Sequence, residues 1–239
     1  MSAQEIQKKL RGLADPAVAA SSARFFKQEH TSNDVFLGVR VPTLRQLARN
    51  YRQLPLCEVE ILLQAEAHEE RTLALLILGL MVHRAADSIR KQVYDFYVTN
   101  IRYINNWDLV DVSAPLLVGA YLADKSRKPL YGLAKSRALW ERRIAIIATQ
   151  HFIRQNDFAD TLKIAKILLQ DKEDLIHKAV GWMLREVGER DRSILLRFLS
   201  RNHNKMPRTM LRSAIERFNK SDRETYLDPP AERRTTAQR

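Results

Sequence analysis

Apolar residues recur at three- and four-residue intervals along almost the whole chain, and no strand-length run of strict alternation occurs. That period predicts short helices separated by turn signals. Ser2 with Glu5 reads as a capping box for a helix over 3–13. Asp15-Pro16 starts the next one, because proline in the first turn loses no N–H bond that the helix needs. Residues 29–41 read as a connector and Pro42 restarts helix. Further helices are predicted over 42–53, 56–66, 68–84, 86–103, 107–123, 127–135, 137–154, 157–169, 172–188, 191–202 and 207–219. The tail 221–239 is polar, carries Pro229-Pro230 and reads as disordered.

The helices beginning near 107, 137 and 172 are each separated by one intervening helix, at intervals of roughly 30–40 residues, the range of two-helix solenoid repeats. In such a stack every second helix faces the concave side, so these three would line one groove. The expected architecture is therefore all-α. It would be a single domain over 1–220, a curved α-solenoid of HEAT-like repeats in which antiparallel helix pairs wind as a right-handed superhelix. Composition agrees. Seven Gly and eight Pro are too few for the turns of a β-sandwich or barrel. No apolar run reaches the ~18–20 residues of a membrane span. The start MSAQEIQKKL has no hydrophobic leader segment, so a cytoplasmic location is expected. Cys57 is the only cysteine, which excludes an intrachain disulfide and a thiolate-rich metal site.

Charge changes the picture more than composition does. Forty Lys and Arg against 28 Asp and Glu leave a net charge of +12, and the excess grows toward the C-terminus. A chain this basic points to a polyanionic partner, most often nucleic acid. Against that background the three tryptophans, at 107, 140 and 182, stand one on each of the three groove helices. On the helix 172–188 the apolar stripe is Ile176, Val180, Met183, Leu184 and Val187, and Trp182 lies on the opposite side beside Lys178, Arg185 and Glu186. That position fits either an aromatic platform flanked by phosphate-binding cations or a contact with a neighbouring repeat. Trp107 and Asp111 are i, i+4 and share a face, where Asp111 also neighbours Ala114, Pro115 and Val118. A carboxylate in such company is costly unless it has a partner or a task, which leaves a structural salt bridge and a catalytic acid both open. Asp108 reads as a first-turn acid on a helix capped by Asn105 or Asn106. Arg143 is centred on an apolar stripe of Leu139, Trp140, Ile146 and Ile147 and calls for an anion, either Asp111 or a phosphate. Arg142 sits at the edge of that stripe and reads as a solvated cation, and Trp140 reads as packing.

These segments, NNWDLVD (105–111), LWERR (139–143) and IHKAVGWMLREVGER (176–190), with FLGVRVPTLRQLA (36–48) as a fainter echo, resemble the AlkD-like DNA glycosylases of the DNA alkylation repair family. The resemblance spans roughly residues 20–220. It implies a stack of HEAT-like repeats whose basic groove holds duplex DNA, and excision of cationic N3-alkyladenine and N7-alkylguanine by hydrolysis of the N-glycosidic bond. It places the catalytic aspartate at Asp111, the aromatic cleft residues at Trp107 and Trp182, and the phosphate-contacting arginine at Arg143. Lys178 and Arg185 share the face of Trp182 and are expected to bind phosphate as well. Two positions depart from the family pattern: Asn106 and Phe25 stand where members carry a second tryptophan or a tyrosine. The family also includes DNA-binding members without glycosylase activity.

No metal or cofactor is expected. The six histidines show no ligand-spaced pair, His68-Glu69 lacks a second histidine at position 72, and neither GxGxxG nor GxxxxGK[ST] occurs. The expected partner is double-stranded DNA with alkylated bases, bound by a monomer with no role for a membrane. Two other readings stand beside it: a non-catalytic module for branched or distorted DNA, and a helical scaffold gripping a protein partner.

Overall fold

The computed structural model describes residues 1–27 and 34–227, and every described element is helical; Val35 makes an isolated bridge to Ala67. The chain divides into two compact units, 1–127 and 128–239. Among the described residues no helix is long and apolar enough to cross a membrane.

Unit 1 holds α1 (Ala3–Gly12), α2 (Pro16–Lys27), α3 (Val41–Asn50), α4 (Leu56–Leu63), α5 (His68–Val82), α6 (Asp87–Thr99), α7 (Trp107–Ala114) and α8 (Ala120–Leu122). Its core is built around α5, with α3, α4, α6 and α7 packed on it. The run from Leu73 to Leu78 is apolar throughout, which is how a helix surrounded by others reads. The predicted capping box on α1 is present, and Asp15 caps α2 by accepting from the N–H groups of Ala17 and Val18. The helix predicted over 107–123 is interrupted by a π-turn at Pro115–Gly119, in which Ala120 N–H reaches back five residues to Pro115 O. Proline has no N–H to donate and its ring crowds the preceding turn, so the wider turn forms there.

The connector before α3 is fastened by α5. Glu69, buried in the first turn of α5, accepts from three consecutive backbone N–H groups, those of Leu37, Gly38 and Val39, at 2.9, 2.8 and 3.3 Å. Gly38 has φ +83°, and a Cβ there would lie 2.1 Å from Asp15 O and 2.7 Å from Ala19 N. Only glycine fits a left-handed residue pressed against the start of α2.

Unit 2 holds α9 (Lys128–Ala134), α10 (Leu139–Ala148), α11 (Gln150–Ile153), α12 (Ala159–Ile167), α13 (Asp174–Arg190), α14 (Arg192–Asn202), α15 (Arg208–Ala214) and α16 (Lys220–Leu227). Here α13 is the central helix, packed against α10, α11, α12, α14 and α15. Its stripe of Ile176, Val180, Met183, Leu184 and Val187 is fully buried, as its spacing predicts. Gly181 lets α15 approach: a Cβ would lie 2.5 Å from Met210 O and from Ser213 Cβ. Residues 220–227 are helical, where the sequence predicts disorder from 221. Asn219 accepts from Asp222 N–H to start the helix, and Asp222 pairs with Arg192 on α14. The rest of the expected tail, 228–239, lies outside the described residues.

Candidate active-site residues

In unit 1, α7 carries both sequence-nominated groups. Trp107 opens the helix and Asp111 follows one turn later; both are half-buried. Beneath this turn Ser113 donates to Leu109 O at 2.5 Å and lies 3.1 Å from the hydroxyl of fully buried Tyr97. Burial pushes the Tyr97 phenol up; the bond with Ser113 opposes this and the charge of Asp111 adds to it. The Trp107 indole stacks on Phe26 at 5.4 Å with 26° between the planes, and meets Phe25 edge-on at 6.0 Å. Its Nε1 is buried with no hydrogen-bond partner among the described residues.

Behind the indole lies a charged cluster. His68, at the first position of α5, is 5% exposed and bridges two carboxylates. Its Nδ1 lies 3.0 Å from Asp34 Oδ2 and its Nε2 lies 2.7 Å from Asp108 Oδ2. Asp34 also takes Arg71 Nη2 at 2.5 Å and Asn106 Nδ2 at 3.2 Å, while Arg71 Nη1 donates to Asn105 Oδ1 at 3.1 Å. Phe26 and Phe36, stacked on each other, lie 5.1 and 5.0 Å from the imidazole. Burial alone would push His68 down; the hydrogen bonds it donates to Asp108 and Asp34, with their charges, outweigh it and raise its pKa to about 9. Burial would raise Asp34, and the bonds from His68, Arg71 and Asn106 with the charge of Arg71 bring it down to about 2.

This cluster revises the sequence reading of the turn before α7. Asn106 occupies the N-cap position but makes no cap bond; its Nδ2 donates to Asp34, and its Oδ1 is buried with no hydrogen-bond partner among the described residues. Asn105 serves Arg71. Asp108 accepts from Leu109 N–H at 2.9 Å with one oxygen and reaches His68 with the other. His68 itself was legible only indirectly, as the head of HEER (68–71), four polar residues opening an otherwise apolar helix.

In unit 2, Trp182 is half-buried on α13 and donates through Nε1 to Glu186 Oε1 at 2.9 Å. Lys178, one turn earlier, is exposed, with its Nζ 3.5 Å from Asp174 Oδ2. Arg185 pairs with Glu216 on the segment following α15. Arg143, 4% exposed, donates to Leu175 O at 2.6 Å and so ties α10 to the first turn of α13. Arg142, expected to be solvated, is half-buried instead. It grips Asp171 with two nitrogens at 2.6 and 3.3 Å and donates to Ser136 O and Arg137 O.

The class so defined is an all-helical protein with a carboxylate one turn from a stacked indole in unit 1, and an indole among basic side chains in unit 2. The family model for DNA alkylation repair enzymes matches residues 6–218, and the chain belongs to that family. A solved structure described as a predicted DNA alkylation repair enzyme from Enterococcus faecalis shares the fold, with a TM-score of 0.70 at 20% identity, covering 87% of this chain and 97% of that one. No curated protein matches the chain.

Proposed function

We propose that this DNA alkylation repair protein is a monofunctional glycosylase that releases cationic alkylpurines, N3-alkyladenine and N7-alkylguanine, from duplex DNA. The observation that carries the reading is the placement of Asp111 one helical turn from Trp107, whose ring is held against Phe26. An alkylated purine already bears positive charge, so it departs without protonation. As the N-glycosidic bond breaks, the charge moves onto the deoxyribose. A carboxylate at that point stabilises the transition state more than the ground state, and the same oxygens orient the attacking water.

The Trp107 indole adds attraction for the cation through its π face, about 1–2 kcal/mol where water is excluded. Trp107 is fixed by stacking and Trp182 by its bond to Glu186, so each ring is presented with little rotamer entropy left to lose. Lys178 and Arg185 supply charge for phosphates, and Arg143 adds its own while bracing α13 through Leu175. A protein that only bound duplex would gain nothing from a carboxylate facing phosphates, which favours catalysis over the binding-module reading. The net charge of +12 disfavours a protein scaffold unless its partner is acidic.

The test is direct. Incubation with methylated duplex DNA, followed by chromatography of the small-molecule fraction, should yield free 3-methyladenine and 7-methylguanine. DNA binding without release of either base would assign the protein to the non-catalytic class.

A further inference from the structure

The reaction as proposed uses no histidine, yet unit 1 buries one, His68, and it is bound to the residue next to Trp107. We propose that His68 is a positioning residue: as an imidazolium clamped between Asp34 and Asp108, it holds the first turn of α7 in place and thereby sets the position of the Asp111 carboxylate. The proposal rests on Asp111 being the reacting group.

The geometry leaves little slack. Asp108 is anchored twice, to His68 Nε2 at 2.7 Å and to Leu109 N–H at 2.9 Å, so the imidazole is coupled to the backbone of the turn between Trp107 and Asp111. On its other side His68 is held by Asp34, which Arg71 and Asn106 fix in turn. Asn106 immediately precedes Trp107, so the clamp grips α7 from both flanks of the indole. Phe26 closes the arrangement, lying 5.1 Å from the imidazole and 5.4 Å from the Trp107 ring.

The charge state follows from the surroundings. Among the described side chains, His68 faces Asp34 from the connector, Asp108 from α7 and the ring of Phe26 from α2. On its own helix Arg71 is turned to Asp34, Glu69 to the 37–39 backbone and Glu70 to Gln7. A histidine at the start of a helix meets the positive end of the dipole, which disfavours its charged form. Two carboxylates at hydrogen-bond distance, in a buried setting, overcome that. A neutral imidazole has one N–H and could donate to only one of them, leaving two acceptors opposed across the other nitrogen.

Loss of the proton therefore loosens the turn of α7 that carries both Trp107 and Asp111. Single-turnover excision, measured with protein in saturating excess so that binding is complete, should fall at least roughly tenfold as pH rises through 9, since displacement of a reacting group by about 1 Å costs up to about a hundredfold. H68Q should start at the lowered rate and show no fall over the same range. In NMR titrations of the full chain, the His68 Cε1 resonance and the Trp107 indole N–H resonance should move together. A wild-type rate that is flat through pH 9, or an H68Q protein matching the wild type in rate and profile, overturns the proposal. If neither protein releases a base at any pH, the assignment of Asp111 fails. The clamp is then judged by the resonances alone, where joint titration supports it and independent behaviour overturns it.

Discussion

The His68 cluster makes a quantitative claim about stability. In an unfolded chain the imidazole titrates near 6.5; in the folded protein its pKa is raised to about 9, so the native state holds the proton more tightly. The stabilisation is complete below the unfolded value and is lost progressively as pH rises through the folded one. Its ceiling, taken from the interval between the two, is about 3 kcal/mol at about 1.4 kcal/mol per pH unit. Little solvent screening reduces it, since the side chain is only 5% exposed. Trp107 is the only tryptophan of unit 1, so a W140F/W182F protein reports on that unit by fluorescence. With a urea slope of about 2 kcal/mol per molar, the unfolding midpoint should drop by roughly 1–2 M between pH 6.5 and 9.5. The same measurement on H68Q in that background subtracts every other group that titrates in the window. Equal slopes with and without His68 would refute the cluster as a proton-linked element.

Three further outcomes are expected. D111N should keep its DNA affinity and lose excision by at least about 100-fold, the scale of removing a major electrostatic group, measured in single-turnover assays. Uracil in duplex DNA should not be released, because it leaves as a neutral base and needs the proton that this mechanism does not supply; chromatography of a uracil-containing duplex checks it. G38A should destabilise unit 1 by at least about 2 kcal/mol in the Trp107 unfolding assay, because a Cβ at φ +83° would strike backbone atoms of Asp15 and Ala19 that cannot move aside.

Much of the fold is legible in the sequence because helical period is a local property. Capping residues, Pro16 and the buried stripe of α13 all act within one or two turns of themselves. Trp107 and Asp111 share that advantage, being i, i+4 on one helix. The His68 cluster does not: its partners lie 34 and 40 positions away, and only the fold brings them together. Arg142 is illegible for the same reason, its partner Asp171 being 29 residues on. An arginine at the edge of an apolar stripe looks solvated until a carboxylate from another helix arrives. Residues 220–227 are polar enough to read as disordered. What orders them is an aspartate reaching Arg192 and a local cap, neither of which leaves an apolar signature.

The π-turn after Ala114 acts as a spacer in the helix that bears the carboxylate. Five-residue spacing advances the chain by more than an α turn, so the side chains from Ala120 onward are rotated relative to those before Pro115. Tyr121, which stacks on Tyr94 at 4.3 Å, therefore obeys a different phase from Trp107 and Asp111. A one-residue change in length at 115–119 would be absorbed there, letting the far end of the helix drift in evolution while the acid and its indole stay fixed.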